Sequence, residues 1–365
     1  MSGRPAVDAG CAVFWSVTRA DYPGKLGAAS VPAAFRPCVR CRPNPARAIG
    51  SNAVTPALRP TTPDGLWQPD GDDLVVHGDA LEALRGIPDG VFRLAYLDPP
   101  FNSGRRQTRQ SVKAIRSASG GRIGFQGRSY ETVKGRALSY ADRFEDYWAF
   151  LEPRLAETRR VLADDGALFL HLDAGEVHYA RVALDALFGA DAFVNELVWA
   201  YDYGARSRRR WPAKHDNILV YAKDPSRLRF DVRALAGEAG TVPGASPAER
   251  EAAGLPSDVW WHTIVSTTGR EKTGYPTQKP VGVLRRIVQA ASEPGDWVLD
   301  AFAGSGTTAA VAQAMDRRFV MVDSNEAAVE VMHRRLGAGI LGASTAFARL
   351  VEGGSEEFPG SATTA

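Results

Sequence analysis

A chain of 365 residues with 44% hydrophobic residues can bury a sizeable core, as one large domain or two small ones. Lys and Arg number 44 against 42 Asp and Glu, a formal charge of +2, so total charge selects no partner while its arrangement in blocks does. Three cysteines (Cys11, Cys38, Cys41) exclude a disulfide framework, and no apolar run is long enough to span a membrane. With no secretory signal evident, the expected compartment is the cytoplasm.

Residues 1–65 are rich in Ala, Pro, Gly and Arg and show no sustained helical or strand period. They read as a disordered basic tail, or as the product of an upstream start codon. Cys38 and Cys41 have the spacing of half a zinc site, but no second pair follows and no histidine lies near. Unliganded thiols, and no metal, are the expectation.

Residues 66–223 begin with a short buried strand at 74–79, a helix over 80–87 and a turn at Pro88-Asp89-Gly90. A strand at 93–97 then runs into Asp98-Pro99-Pro100-Phe101. Proline cannot extend a central strand, so the chain leaves the sheet there. In an open α/β sheet, ligands bind outside the carboxyl ends of the strands. Asp98, the Pro99 and Pro100 carbonyls and the Phe101 ring offer acceptors and a flat apolar plate, with no nucleophile. That set suits a flat ring carrying an NH2 group. A proline turn with a core phenylalanine is the competing reading of these four residues taken alone.

Residues 102–143 form a long basic insertion headed by Arg105, Arg106 and Arg109, with only Glu131 and Asp142 opposing it. It reads as a loop suited to a phosphate backbone, against the plainer reading of a solvated loop. A helix over 147–162, a strand at 167–172, a helix over 177–188 and a strand at 196–201 follow. Arg206, Arg208, Arg209 and Arg210 then interleave with Tyr203 and Trp211, a pattern that fits nucleic-acid contact. Another strand covers 217–222. Residues 224–274 are heterogeneous and read as a small separate module. Residues 275–340 hold a helix at 281–290, a strand at 297–300, a glycine loop, a helix at 308–315, a strand at 318–322 and a last helix at 325–336. Residues 341–365 read as a C-terminal tail. Alternating strands and helices imply a mostly parallel sheet.

The loop from Asp300 to Thr308 is a second centre. Gly304 and Gly306 let backbone approach a ligand closely. Thr307 stands where a phosphate-binding P-loop needs lysine, which argues against ATP. Ala309 in the third glycine position leaves a dinucleotide open on the loop alone. However, the Asp300 carboxylate would repel a pyrophosphate and suits a cationic amino-acid end, and Asp323 is placed for ribose hydroxyls. S-adenosylmethionine fits this charge pattern best.

Together these motifs resemble the amino-group DNA methyltransferases of the permuted β type, over roughly residues 74–340. The implied fold is a Rossmann-like S-adenosylmethionine-dependent methyltransferase fold, α/β, with a seven-stranded mostly parallel sheet and permuted motif order. The resemblance implies Asp98, Pro99, Pro100 and Phe101 as the catalytic motif. It implies Phe302, Ala303, Gly304, Ser305, Gly306 and Thr307 as the cofactor loop, and Thr277 and Lys279 within a further cofactor motif, Tyr275–Pro280. Asp79, in His77-Gly78-Asp79-Ala80, would meet the cofactor adenine.

The expected activity is methyl transfer to the exocyclic amine of a flipped base in double-stranded DNA, with 224–274 reading the target sequence. Adenine N6 is favoured, because cytosine-N4 members more often carry Ser where Asp98 stands; cytosine N4 is the alternative. An RNA methyltransferase and a non-catalytic DNA-binding relative are further alternatives. Pro37-Cys38 would suit C5-cytosine chemistry, but it lies in the tail with no strand before it, which rejects that reading. A restriction endonuclease and a second copy of the chain enter as partners by family analogy alone.

Overall fold

The computed structural model describes residues 66–102, 105–116, 122–123, 129–142, 146–202, 207–235, 256–266, 269–336, 345–351 and 354–357. Between 105 and 142 only the backbone is described. The readings made for residues 1–65, Tyr203 and Arg206 fall outside these ranges.

Short apolar runs make the central strands: β1 (Asp73–His77), β2 (Phe92–Leu97), β6 (Leu162–Leu172), β10 (Trp297–Asp300) and β11 (Arg318–Asp323). They are buried over most of their length because helices cover both faces. Side chains alternate between the two faces. Leu74, Val76, Ala95 and Leu97 join one core cluster, while Val75, Leu94 and Tyr96 join the other. Helices α1 (Ala80–Arg85), α2 (Tyr147–Val161) and α3 (Val177–Phe188) pack on the first face through residues such as Leu84, Leu151 and Leu184. Helices α4 (Val281–Ala291), α5 (Thr307–Ala314) and α6 (Glu326–Leu336) cover the second through Leu284, Val311 and Met332.

Among the described residues the main sheet has ten strands in the order β13-β12-β1-β11-β10-β2-β6-β8-β7-β9. The added members are β7 (Phe193–Ala200), β8 (His215–Ala222), β9 (Val259–Trp261), β12 (Thr345–Val351) and β13 (Gly354–Glu357). β8 runs antiparallel to both neighbours and β13 to β12; the other pairs are parallel. The seven expected strands form the centre. β10 and β11, late in the chain, lie between the early β1 and β2, which is the permuted order.

Three expectations need correction. First, the sheet is wider than seven strands, and the 341–365 segment read as a tail contributes β12 and β13. β12, next to the edge strand β13, has few apolar anchors: Phe347 reaches one core cluster and Leu350 packs on the other. Second, the basic insertion is not a loop. β3 (Arg105–Arg116), β4 (Arg122–Ile123) and β5 (Ser129–Asp142) pair as a separate antiparallel sheet in the order β3-β5-β4. Its sequence has no single apolar face to mark it as strands. Third, the described part of 224–274 extends the main sheet rather than standing apart. β9 pairs with β7, and Trp260 and Leu228 pack in the second core.

Candidate active site

The carboxyl ends of the adjacent parallel strands β1, β11, β10 and β2 deliver Asp79, Asp323, Asp300 and Asp98 to one edge of the sheet. A cavity of about 330 Å³ opens there. Its wall contains Asp98, Pro99, Pro100 and Phe101, and also Asp79, Thr277, Lys279, Asp300, Phe302, Ala303, Gly304, Ser305, Thr307 and Asp323. Gly306 stands just behind the wall as the N-cap of α5, with φ 68°. A Cβ on it would lie 2.6 Å from Cγ of Met332. Gly304 has φ 52° and faces the Tyr275 ring. Both conformations favour glycine.

Two of the wall carboxylates also build the loop. Asp300 accepts the Phe302 N–H at 3.0 Å and the Thr308 hydroxyl at 2.6 Å. Asp323 accepts the N–H groups of Gly304 and Asn325, each at 2.8 Å. Burial pushes Asp300 up to about 7, against the hydrogen bonds that favour its ionised form. Burial likewise raises Asp323 to about 6. Asp79 caps α1 by accepting from the Leu81 and Glu82 N–H groups and is ion-paired with Arg154. Arg154 in turn lies over the Phe150 ring at 4.0 Å.

Asp98 is differently placed. Its Oδ2 is held by the Lys279 ammonium, which sits 5.1 Å from the Phe101 ring centre. Its Oδ1 is buried with no hydrogen-bond partner. Lys279 thus meets the catalytic motif, although the resemblance implies a cofactor contact for it.

Behind Phe101 lies a polar network that sequence reasoning missed. The His171 ring packs 5.8 Å from Phe101. His171 is fully buried, with Nδ1 2.7 Å from the Tyr96 hydroxyl and Nε2 3.3 Å from Asp216, and the Tyr201 hydroxyl donates to Asp216 at 3.0 Å. A carboxylate can only accept, so the Nε2 proton points at Asp216. Burial raises Asp216, but bonding to His171, the Lys279 charge and the Tyr201 hydroxyl hold it below the usual carboxylate value. The available signal was a histidine inside the otherwise apolar run 167–172. Arg154 and Phe150, also in the wall, carried no such mark.

The expected nucleic-acid residues lie elsewhere. Arg208, Arg209 and Arg210 are exposed on the loop between β7 and β8. Arg105, Arg106 and Arg109 lie on β3, of which only the backbone is described. Among the described residues no group of acids, histidines and cysteines has the arrangement of a metal site.

A family model described as DNA methylase matches residues 92–334. The chain is 31% identical over 271 residues to the DNA adenine methyltransferase YhdJ of Escherichia coli, covering 72% of this chain and 82% of that one. It is 25% identical over 271 residues to the type II methyltransferase M.HpaI of Haemophilus parainfluenzae, covering 73% and 74%. Among solved structures, the PvuII cytosine-N4-specific DNA methyltransferase aligns with a TM-score of 0.48 and 13% identity, over 75% of this chain and 94% of that one.

Proposed function

The chain belongs to the DNA methylase family, and from that premise we propose that it methylates adenine N6 of a flipped base in double-stranded DNA, using S-adenosylmethionine. The observation that carries this reading is Asp98, a residue of the cavity wall with one carboxylate oxygen fixed by Lys279 and the other buried and unpartnered. A buried acceptor left open calls for a donor from a ligand. The two N–H groups of an exocyclic amine supply such donors. The adenine preference is supported by an Asp rather than Ser at position 98 and by the likeness to YhdJ.

The cavity fits the cofactor chemically. Asp300 and the Gly304–Gly306 loop suit a cationic amino-acid end, Asp323 suits ribose hydroxyls, and Asp79, Thr277 and Phe302 suit the adenine. When bound, the cofactor supplies a methyl group made electrophilic by its sulfonium.

The chain's own residues act on the base. Its amine is a poor nucleophile because the lone pair is delocalised into the ring. Asp98 Oδ1 and the Pro99 carbonyl accept its two N–H groups, which draws the nitrogen toward tetrahedral geometry and frees the lone pair. Preorganised acceptors also stabilise the positive charge that develops on nitrogen. Lys279 holds Oδ2 and so orients the Asp98 carboxylate as an acceptor. Phe101 offers its face to the base, and the His171 ring backs it at 5.8 Å.

The test uses methyl-labelled S-adenosylmethionine and unmethylated genomic DNA, digested to nucleosides and read by mass spectrometry. N6-methyladenine that disappears in Asp98→Ala is expected. Label on N4-methylcytosine would move the activity to the other base, and cofactor binding with no labelled DNA would overturn the reading.

A further inference from the structure

The loop that joins β7 to β8 carries a large apolar side chain in the open, Trp211. Trp211 is 95% exposed, more than any other large hydrophobic side chain among the described residues. Leaving an indole in water forfeits the burial that normally places tryptophan inside or at an interface. The three preceding residues, Arg208, Arg209 and Arg210, are exposed as well. Ser207 Oγ accepts the N–H groups of Arg209 and Arg210, each at 3.2 Å, so the cationic run has a defined turn.

Topology places this loop beside the cavity. β7 and β6 both run antiparallel to β8, and β6 is parallel to β2. β7 therefore ends at the same edge of the sheet as Asp98. Three strand spacings separate β2 from β7, about 14 Å. A duplex that presents a base to Asp98 therefore meets the edge of the sheet from which this loop rises.

Resting on the proposed DNA methylation, we propose that Trp211 enters the base stack of duplex DNA in the gap left by the flipped base, while Arg208–Arg210 hold the flanking phosphates. Flipping unstacks the two neighbours of the target base. An aromatic face restores that stacking with any base, whereas arginines at phosphates add affinity without filling the gap. The occupant is a duplex because three consecutive exposed arginines precede a flat apolar plate.

The test compares two short fluorescent duplexes of one sequence, one intact and one with a single abasic site, titrated with the full chain. Wild type is expected to bind the gapped duplex about tenfold more tightly, the order of one base–aromatic stack. Trp211→Ala is expected to lose that preference with an unchanged salt dependence, and Trp211→Phe to keep most of it. Arg209→Ala is expected to keep the preference and to flatten the salt dependence by about one phosphate contact. An equal preference in Trp211→Ala, or none in wild type, overturns the proposal. So does a change of molecular mass in Trp211→Ala, which would assign the indole to a contact between copies. Labelling of genomic DNA by the wild type separates the two readings. With label present, failure concerns Trp211 alone; without it, the DNA methylation reading falls and takes this one with it.

Discussion

Lys279 shows how one side chain changes its assignment once neighbours are visible. Its motif resembles a cofactor element, yet its ammonium closes on Asp98 across 181 residues of sequence. Lys279→Ala strips a mostly buried carboxylate of its partner. Breaking such a pair is worth about 3 kcal/mol or more, because the remaining charge is uncompensated. Methyl transfer in single turnovers is expected to fall about a hundredfold, the order of losing one preorganised electrostatic contact at the reacting centre. Cofactor affinity by calorimetry is expected to move far less, and a loss confined to cofactor affinity would restore the original assignment. At this scale the sequence was readable where a residue type is rare in its setting, as with Asp98 before two prolines. It was silent on pairings such as Asp98 with Lys279 or His171 with Asp216, because long-range contacts leave no local period.

At the scale of elements, the glycine loop makes a sharp comparison possible. Gly306 has φ 68° with Met332 against its missing side chain, while Gly90 has φ 74° with nothing within 4 Å. Both Gly→Ala changes carry the left-handed penalty of about 1–2 kcal/mol, and only Gly306→Ala adds a collision. Chemical denaturation is expected to show the larger loss for Gly306→Ala, accompanied by weaker cofactor binding; Gly90→Ala is expected to bind normally. Equal losses would mean that Met332 moves aside freely. The strands on either side of this loop were legible because each is a short apolar run closed by a carboxylate. The β3–β5 ribbon was not, since Tyr130, Thr132 and Val133 fall on both of its faces among charges and no alternation marks an inside. β12 escaped notice for a related reason, with two anchors on opposite faces.

Across the whole molecule, the two raised carboxylates link stability to function. Asp300 and Asp323 hold protons in the folded protein up to about pH 7 and 6, whereas an unfolded chain releases them near 3.8. Their share of stability is therefore full below pH 3.8 and is lost as pH rises through 6 and 7. The melting temperature without cofactor is expected to fall from pH 5 to 8, while affinity for the cationic cofactor rises as Asp300 ionises. Affinity that stays flat over that range would remove Asp300 from contact with the cationic end. The interleaved strand order has a consequence of another kind, in time. β1 and β2 are made first, but the strands that separate them, β10 and β11, begin at Trp297, 200 residues after Leu97. At about 5–20 residues per second of synthesis, the nascent sheet waits on the order of 10–40 s for its own middle. Until then the gap is two strands wide and Asp98 has neither Lys279 nor the glycine loop beside it. A chain still on the ribosome can hold half of the pocket but cannot assemble it, so the activity is born only with the finished protein.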